Sequence, residues 1–439
     1  MKRFWWGIFL GVIIAVSLWF GFHGRYNHYE LLPHRMLVAD EVIDEAIARD
    51  DFPGAVLCVV GRDKSSGRSK ILYLKAYGNR QVTSFKADDG FVPDTIAMTT
   101  DAVFDLASLS KCVGTTLAVM RLVEDGKLRI DDPVSRYISN FKPWESVPEK
   151  RGDKVERREI TVRHLLDHTS GLSAGIYVPS FVKRYEKYDE LPYLDLRDSL
   201  ISYLATEAPR NTPPGENMRY SCLNFITLQA IVERISGKRL DKFTAEAIFE
   251  PLRLKNTWYN HINENPHYNQ DIPIVPTSVY GEGYILRGDV HDPTAREINK
   301  GVSGNAGLFS CAEDLAVVTA MLMGGGSVEI PNKGLGGKLG LSEEVRLYSH
   351  HTVDTFFLLD DKAKENGRTL GWATGSFGDL DDYQRVINHT GYTGTSLQMN
   401  LDEGVAIIFL TNRVHPLDDG SVGRTRALVT NIISSALTK

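Results

Sequence analysis

Residues 104–123 read Phe-Asp-Leu-Ala-Ser-Leu-Ser-Lys-Cys-Val-Gly-Thr-Thr-Leu-Ala-Val-Met-Arg-Leu-Val. Apolar residues recur through this stretch at helical spacing, and Gly126 marks the end of the predicted helix. Ser108 lies at its start and Lys111 follows three residues later, which places both side chains on one face. Free N–H groups at a helix start stabilise an oxyanion, and an amine removes a serine proton when burial or another cation lowers its pKa. The stretch therefore indicates a nucleophilic serine, with an N-cap as the simpler interpretation of Ser108.

Two further segments carry side chains suited to proton transfer and substrate binding. Tyr220-Ser-Cys222 precedes a predicted helix at 223–234, and a phenol beside an amine can act as a base or an acid. His389-Thr-Gly391 follows a predicted strand at 384–388, and Tyr392 begins the turn into the next strand. A Thr-Gly strand end of this kind can offer backbone N–H groups to a substrate and to an oxyanion.

The order Ser-x-x-Lys, Tyr-Ser-x, His-Thr-Gly resembles the serine β-lactamase and penicillin-binding-protein superfamily. Within it, the chain is most similar to class C-type β-lactamases, DD-peptidases and related esterases. The flanking segments Thr161–Leu172, Gly301–Ser310 and Thr411–Pro416 are similar too, so the resemblance extends over roughly residues 40–435.

The resemblance implies a role for each of these residues. Ser108 is expected to be the acylated nucleophile, Lys111 to take part in proton transfer, and Tyr220 to act as general base and acid. His389 stands where many relatives have Lys, near the substrate carboxylate or the phenol. The N–H groups of Ser108 and Tyr392 are expected to form the oxyanion hole, while the remaining substrate-binding candidates are Thr390, Gly391 and Cys222.

Cys222 departs from the pattern of the resemblance. Relatives often have Asn or Asp two residues after the tyrosine, and a thiol is a weak hydrogen-bond donor. Substrate recognition is therefore expected to differ, unless a residue such as Asn224 supplies the missing donor. Cys222 is also a rival nucleophile if its surroundings stabilise a thiolate.

The coarse organisation predicts one α+β domain at 41–439. Strands are predicted at 55–60 and 70–77 near one end of the chain, and at 384–388, 395–400 and 405–410 near the other. A helix is expected at 425–437, and the region 105–325 is mostly helical in pattern. The prediction is an antiparallel sheet built from both termini, flanked by helices, with a mainly helical subdomain inserted, as in the superfamily.

The N-terminal residues predict a membrane anchor. Phe4–Phe22 contains 19 residues without a charge, which as a helix of about 1.5 Å rise per residue nearly spans a bilayer core. No small-x-small cleavage site follows it, so residues 1–25 are interpreted as a retained anchor rather than a cleaved signal, and 26–40 as a linker into a helix at 38–49. Because the superfamily acts outside the cytoplasm, the catalytic domain is expected to be exported.

Composition and charge exclude several classes of protein. The 439-residue chain is 42% hydrophobic and has a net charge of −6, which argues against disorder and against a nucleic-acid partner. Its four cysteines form no CxxC pair, and 324–340 is a glycine-rich loop that lacks a phosphate-loop motif. His164 and His168 have zinc-site spacing but no evident third ligand, so no metal and no cofactor are expected.

The expected activity is that of a membrane-anchored serine hydrolase acting on D-amino-acid peptide ends of the cell wall or on small esters. A β-lactamase is the alternative within the same chemistry. From another class, a sensor that binds a cell-wall peptide or β-lactam without turnover stays open because of Cys222. Pocket shape selects the leaving group and the sequence leaves it open, as it does the oligomeric state.

Overall fold

The computed structural model describes residues 30–62, 68–148, 150, 154–186, 196–261, 271–280, 283–332, 342–381 and 384–438. In this part of the chain, a seven-stranded antiparallel sheet combines strands from both ends of the sequence, as predicted. Its spatial order is Ala373–Thr374, Val386–Thr390, Ser396–Asn400, Val405–Thr411, Gly54–Arg62, Ser69–Lys86 and Gly90–Ala97.

The two central strands are buried on both faces. Gly54–Arg62 pairs antiparallel with Val405–Thr411, and both are apolar along nearly their whole length. Alternate residues enter different cores: Leu57 packs in the cluster beneath the terminal helices, whereas Cys58 packs in the large cluster shared with the inserted region. Helices must therefore cover both faces of this sheet, since neither face could be left to solvent.

Two terminal helices cover the outer face of the sheet. Pro33–Ala48 and Gly423–Ala436 pack against each other and bury Met36, Ala39 and Ile433. The first helix begins five residues before the predicted Val38, because a proline at the first helical position has a suitable φ and needs no N–H partner. Residues 33–40, predicted as the end of a linker, therefore belong to the folded domain.

The predicted anchor at 1–25 lies outside the described residues. Among the residues that the structure does describe, no helix is long and apolar enough to cross a bilayer.

The inserted region covers the inner face and is mainly helical, as expected. Its α-helices are Leu117–Glu124, Val162–Leu166, Val178–Glu186, Leu196–Thr206, Cys222–Ser236, Leu240–Thr244, Ala312–Met323, His350–Phe356 and Asp361–Asn366, with π-helical turns at Lys111–Thr116, Ala245–Phe249 and Thr294–Ile298 and a 3₁₀ turn at Val134–Arg136. A small three-stranded antiparallel sheet has the order Phe104–Asp105, Leu308–Ser310, Trp258–Tyr259. Three further antiparallel pairs join Trp144–Glu145 with Arg157–Arg158, Val279–Tyr280 with Tyr284–Ile285, and Ser327–Pro331 with Ser342–Arg346. The last hairpin begins inside the stretch 324–340 that was predicted as a loop.

Candidate active site

Ser108 lies at the junction between a short strand and the helix that follows it. The strand Phe104–Asp105 ends three residues before it, and the Asp105 carboxylate accepts the N–H groups of Ala107 (2.8 Å) and His291 (2.8 Å). Ala107 has a φ of 46°, a left-handed conformation that costs a non-glycine residue roughly 1–3 kcal/mol. The hydrogen bonds of Asp105 hold this strained turn in place and so aim Ser108 at the site.

Lys111 is fully buried and contacts the serine directly. Its Nζ donates to Ser108 Oγ at 3.0 Å and to the carbonyl oxygen of Asn305 at 2.8 Å. Burial lowers the pKa of Lys111, but the neighbouring thiol of Cys222 and phenol of Tyr220 outweigh burial and raise this pKa overall. The lowered pKa on which proton removal by this amine depends is therefore not found, and Lys111 is a cation in the resting site.

Tyr220 immediately precedes the helix Cys222–Ser236. Ser221 is the N-cap, whose Oγ accepts the N–H of Leu223 and donates to the carbonyl oxygen of Ser173 at 2.6 Å. The Tyr220 ring lies 4.4 Å from the His168 ring between centroids, and Lys111 Nζ lies 5.1 Å from its centre. The structure thus brings the predicted phenol and amine together beside Ser108.

His389 lies on the other side of the phenol, with 6.1 Å between ring centroids. Its Nδ1 donates to the carbonyl oxygen of Thr390 at 2.8 Å, which leaves Nε2 as an acceptor. This Nε2 is buried and has no hydrogen-bond partner among the described residues. Burial, with the cations of Arg368 and Lys111, lowers the pKa of His389 to about 3. His389 is therefore neutral and lacks the positive charge of the Lys that the resemblance places there.

The turn after His389 is tied to the backbone that leads into Ser108. Thr393 Oγ1 donates to the carbonyl oxygen of Asp105 at 2.8 Å, and Thr395 Oγ1 donates to that of Leu106 at 3.1 Å. A Cβ on Gly391 would lie only 2.4 Å from the same Leu106 oxygen, so this close approach requires glycine.

The amide N–H groups of Ser108 and Tyr392 remain available at this junction. In the described part of the chain, neither donates to a backbone or side-chain acceptor. Both residues line one cavity of about 270 Å³, together with Ala107, His291, Asp292, Pro293, Ala306 and Asp418. Two available donors among the residues that line one cavity are suited to bind an oxyanion, which is the role that the resemblance implies for this pair.

The exposed side chain of Tyr392 forms the rim of this cavity. Its hydroxyl donates to Asp418 Oδ2 at 2.6 Å, and its ring stacks on His291 with 5.6 Å between centroids. Arg413 pairs with the same aspartate at 3.0 Å and lies 4.7 Å from the Tyr392 ring centre. These contacts hold Tyr392 in place at the cavity.

Cys222 and Asn224 lie in different environments. Asn224 is fully buried, where its Oδ1 accepts the hydroxyl of Ser170 at 2.5 Å and its Nδ2 lies 3.2 Å from His168 Nδ1. Its amide is therefore committed to the interior and does not replace the missing donor. Cys222 is partly exposed at the first residue of the helix Cys222–Ser236, two residues after Tyr220, and its thiol contributes to the raised pKa of Lys111.

The two histidines with zinc-site spacing, His164 and His168, accept hydrogen bonds from different parts of the backbone. His164 Nδ1 accepts the N–H of Thr161 at 3.1 Å and completes a capping box at the start of the helix Val162–Leu166. His168 Nδ1 accepts the N–H of Ser221 at 3.1 Å, beyond the end of that helix. No group of three or more metal-ligating side chains occurs within the described residues.

Arg368 is a residue of the site that the sequence analysis did not predict. Its guanidinium carbon lies 5.2 Å from the centre of the Tyr220 ring. It follows the helix Asp361–Asn366 and the left-handed Gly367, in a segment whose local pattern contains no signal for catalysis. Only the tertiary structure connects this arginine with the phenol.

The chain is similar to known proteins over most of its length. The family model described as Beta-lactamase matches residues 39–432. The N-acetylmuramyl-L-alanine amidase of Bacillus subtilis (strain 168) is 30% identical over 394 residues, which cover 85% of this chain and 80% of that protein. The "Putative D-alanyl-D-alanine carboxypeptidase" of Escherichia coli O157:H7 is 30% identical over 386 residues, covering 83% and 79%.

The chain belongs to the beta-lactamase family. A solved structure with the same fold is EstCE1, "a hydrolase with promiscuous acyltransferase activity", with a TM-score of 0.63 and 22% identity, covering 91% of this chain and 98% of that one. The resemblance stated from the sequence motifs and the α+β fold are thus confirmed, and the protein is a serine hydrolase of this superfamily.

Proposed function

We propose that this member of the beta-lactamase family works through an acyl-enzyme on Ser108, with D-amino-acid peptide ends of the cell wall or small esters as substrates. The observation that carries the proposal is the contact of 3.0 Å between Lys111 Nζ and Ser108 Oγ, beside Tyr220 and the two available N–H groups. The names of two relatives, "N-acetylmuramyl-L-alanine amidase" and "Putative D-alanyl-D-alanine carboxypeptidase", support the substrate class.

The charge of Lys111 decides which group accepts the proton of Ser108. Because the amine is already a cation, the proton of Ser108 passes to the phenolate form of Tyr220 as Oγ attacks the substrate carbonyl. The oxyanion binds to the N–H groups of Ser108 and Tyr392. Tyr220 then gives this proton to the leaving oxygen or nitrogen as its bond to the carbonyl carbon breaks. Water attacks the acyl-enzyme by the reverse sequence and restores free Ser108.

Cys222 favours esters over amides in this proposal. Asn at this position would donate a hydrogen bond to the amide carbonyl of a peptide or β-lactam, and a thiol does so only weakly. An ester needs less assistance because an alkoxide leaves more readily than an amine. A sensor that is acylated without release is the second candidate, and the same substitution supports it because poor recognition slows turnover.

We further propose that residues 4–22 anchor the protein in a membrane, with the catalytic domain on the outer side of it. The support is the uncharged run of 19 residues and the cell-wall substrates of the proposal. In membrane fractions, the full chain should resist extraction by alkaline carbonate, and protease added from outside should digest the domain. Release by carbonate, or protection of the domain, would contradict the anchor or its orientation respectively.

Intact-mass spectrometry tests the acyl-enzyme. A fluorophosphonate or penicillin probe should add one adduct to the wild type and none to Ser108→Ala. An adduct that survives in Ser108→Ala, or no adduct with either probe, would overturn the proposal. A panel of a β-lactam, a D-Ala-D-Ala peptide and a short-chain ester then separates the candidates: multiple turnover identifies an enzyme, whereas a stable adduct without product identifies the sensor.

A further inference from the structure

The cations around Tyr220 are arranged differently from what the sequence motifs imply. The resemblance places a Lys at position 389, but this residue is a buried histidine whose pKa is lowered to about 3 by burial and by the cations of Arg368 and Lys111. A phenol that accepts the proton of Ser108 carries a negative charge before the reaction, and such a charge needs positive charge close by. Lys111 supplies one cation, with its Nζ 5.1 Å from the ring centre.

Arg368 supplies a second cation at the same distance. Its guanidinium carbon lies 5.2 Å from the centre of the Tyr220 ring. The side chain is partly buried, and within the described residues no carboxylate forms an ion pair with it. Buried or half-buried arginines are usually paired, because a desolvated charge without a partner is unfavourable. The ionisable groups that interact with this guanidinium are the phenol of Tyr220 and the thiol of Cys112. Burial raises the pKa of the Cys112 thiol, which therefore stays neutral, so the phenol is the group whose negative charge the guanidinium can stabilise.

The backbone holds Arg368 in this position. Gly367 ends the helix Asp361–Asn366 in a left-handed conformation with a φ of 64°, and the N–H of Arg368 donates to the carbonyl oxygen of Ala363 at 3.0 Å. Two residues later, Leu370 is buried in the core, and the N–H of Gly371 donates to the carbonyl oxygen of Leu166. The guanidinium is therefore anchored on both sides rather than presented on a free loop.

We infer that Arg368 is a positioning residue that takes over the second positive charge from the strand position now held by His389, and that it stabilises the phenolate of Tyr220. This inference rests on the acyl-enzyme chemistry proposed above. A guanidinium suits the task because it stays protonated at every pH at which the enzyme works. In this chain the second fixed positive charge therefore lies in the segment after the helix Asp361–Asn366, and not on the sheet strand where the resemblance places a Lys.

The other groups around the phenol do not duplicate this charge. Burial lowers the pKa of His168 well below its usual value, so this histidine is neutral as well. The titratable and charged groups that face Tyr220 from every element packed against it are Lys111, His168, Cys222, Arg368 and His389. Only Lys111 and Arg368 among them are cations at neutral pH.

The test compares Arg368→Gln, Arg368→Lys and Lys362→Gln on a neutral activated ester. Lys362 is an exposed cation that lines a cavity of about 390 Å³ together with Arg368. Lys362→Gln is therefore the control, because it removes the same charge as Arg368→Gln from a nearby position. Loss of a positive charge 5.2 Å from the centre of the Tyr220 ring should lower kcat/KM at pH 7 about tenfold or more in Arg368→Gln. Lys362→Gln should keep the wild-type value, and Arg368→Lys should recover most of the loss.

The pH profile separates this role from a structural one. If Arg368 stabilises negative charge on Tyr220, the loss of kcat/KM in Arg368→Gln should be larger at acidic than at alkaline pH, because a missing fixed charge affects the two protonation states of a group differently. An equal loss at every pH, or wild-type behaviour, would overturn the inference. So would a rise in KM confined to substrates with a free carboxylate, because it would assign Arg368 to substrate binding. An inactive wild type would instead refute the proposed function.

Discussion

Gly391→Ala tests whether the position of the Tyr392 N–H controls catalysis. A Cβ at residue 391 would lie 2.4 Å from the carbonyl oxygen of Leu106 and 2.1 Å from Thr395 Oγ1. The hydroxyl can rotate away, but it then loses its 3.1 Å hydrogen bond to that same oxygen, and the backbone carbonyl is held beside Ser108. The turn must therefore move by about 1 Å to restore van der Waals contact.

A shift of this size acts on the reaction more than on folding. Misplacement by about 1 Å costs roughly 100-fold in rate, and removal of one oxyanion donor costs about 100- to 1,000-fold. We therefore expect kcat to fall about 100-fold, which is about 2.7 kcal/mol at 1.36 kcal/mol per factor of ten. KM should change little, since the N–H group binds the oxyanion of the transition state. Overpacking should also lower stability by about 1–3 kcal/mol.

The assay is steady-state hydrolysis of an activated ester well below the Tm of each variant, with circular dichroism to confirm folding. Gly423→Ala is the matched control, because a Cβ there meets no atom within 4 Å and should leave kcat unchanged. Wild-type kcat in folded Gly391→Ala would refute the assignment of the Tyr392 N–H to the oxyanion hole.

Two other perturbations address substrate choice and stability. Cys222→Asn should raise kcat/KM for a β-lactam relative to an ester by roughly 5- to 150-fold, because a buried hydrogen bond is worth about 1–3 kcal/mol; an unchanged ratio would make Cys222 a packing residue. Asp40→Asn should lower the free energy of unfolding at pH 7. Although burial raises the pKa of Asp40, the hydrogen bonds of Lys75 (2.6 Å), Tyr73 (2.5 Å) and Tyr77 (2.6 Å) lower it overall. Because the pKa of Asp40 is lowered in the folded state, its carboxylate stabilises the fold at pH values above the unfolded pKa of about 3.9. The free energies of unfolding of wild type and Asp40→Asn, measured from denaturation curves, should therefore converge as the pH falls below about 4. A difference that stays constant with pH would contradict this.

Some parts of the structure were accessible from local pattern. The spacing of Ser108 and Lys111 on one helical face needs only the geometry of one turn, and the Nζ–Oγ contact of 3.0 Å follows from it. Buried strands such as Val405–Thr411 are recognisable because a short apolar run has few other solutions. The edge strand Gly90–Ala97 was missed, since it is only half-buried and contains Pro93, which weakens a strand pattern.

The sequence by itself indicated the candidate nucleophile Ser108, the phenol of Tyr220 beside it and the sheet from both termini, because these depend on spacing over a few residues and on ordered motifs. Only the tertiary structure decided the charges. Arg368 lies 148 positions after Tyr220 in the chain, yet the two side chains are neighbours. Burial beside the cations of Arg368 and Lys111 lowers the pKa of His389 and keeps this residue neutral. The side-chain amide of Asn224 contacts Ser170 and His168 in the interior and is therefore not available to a substrate. Electrostatics and burial depend on groups that are distant in sequence, so no local pattern carries them.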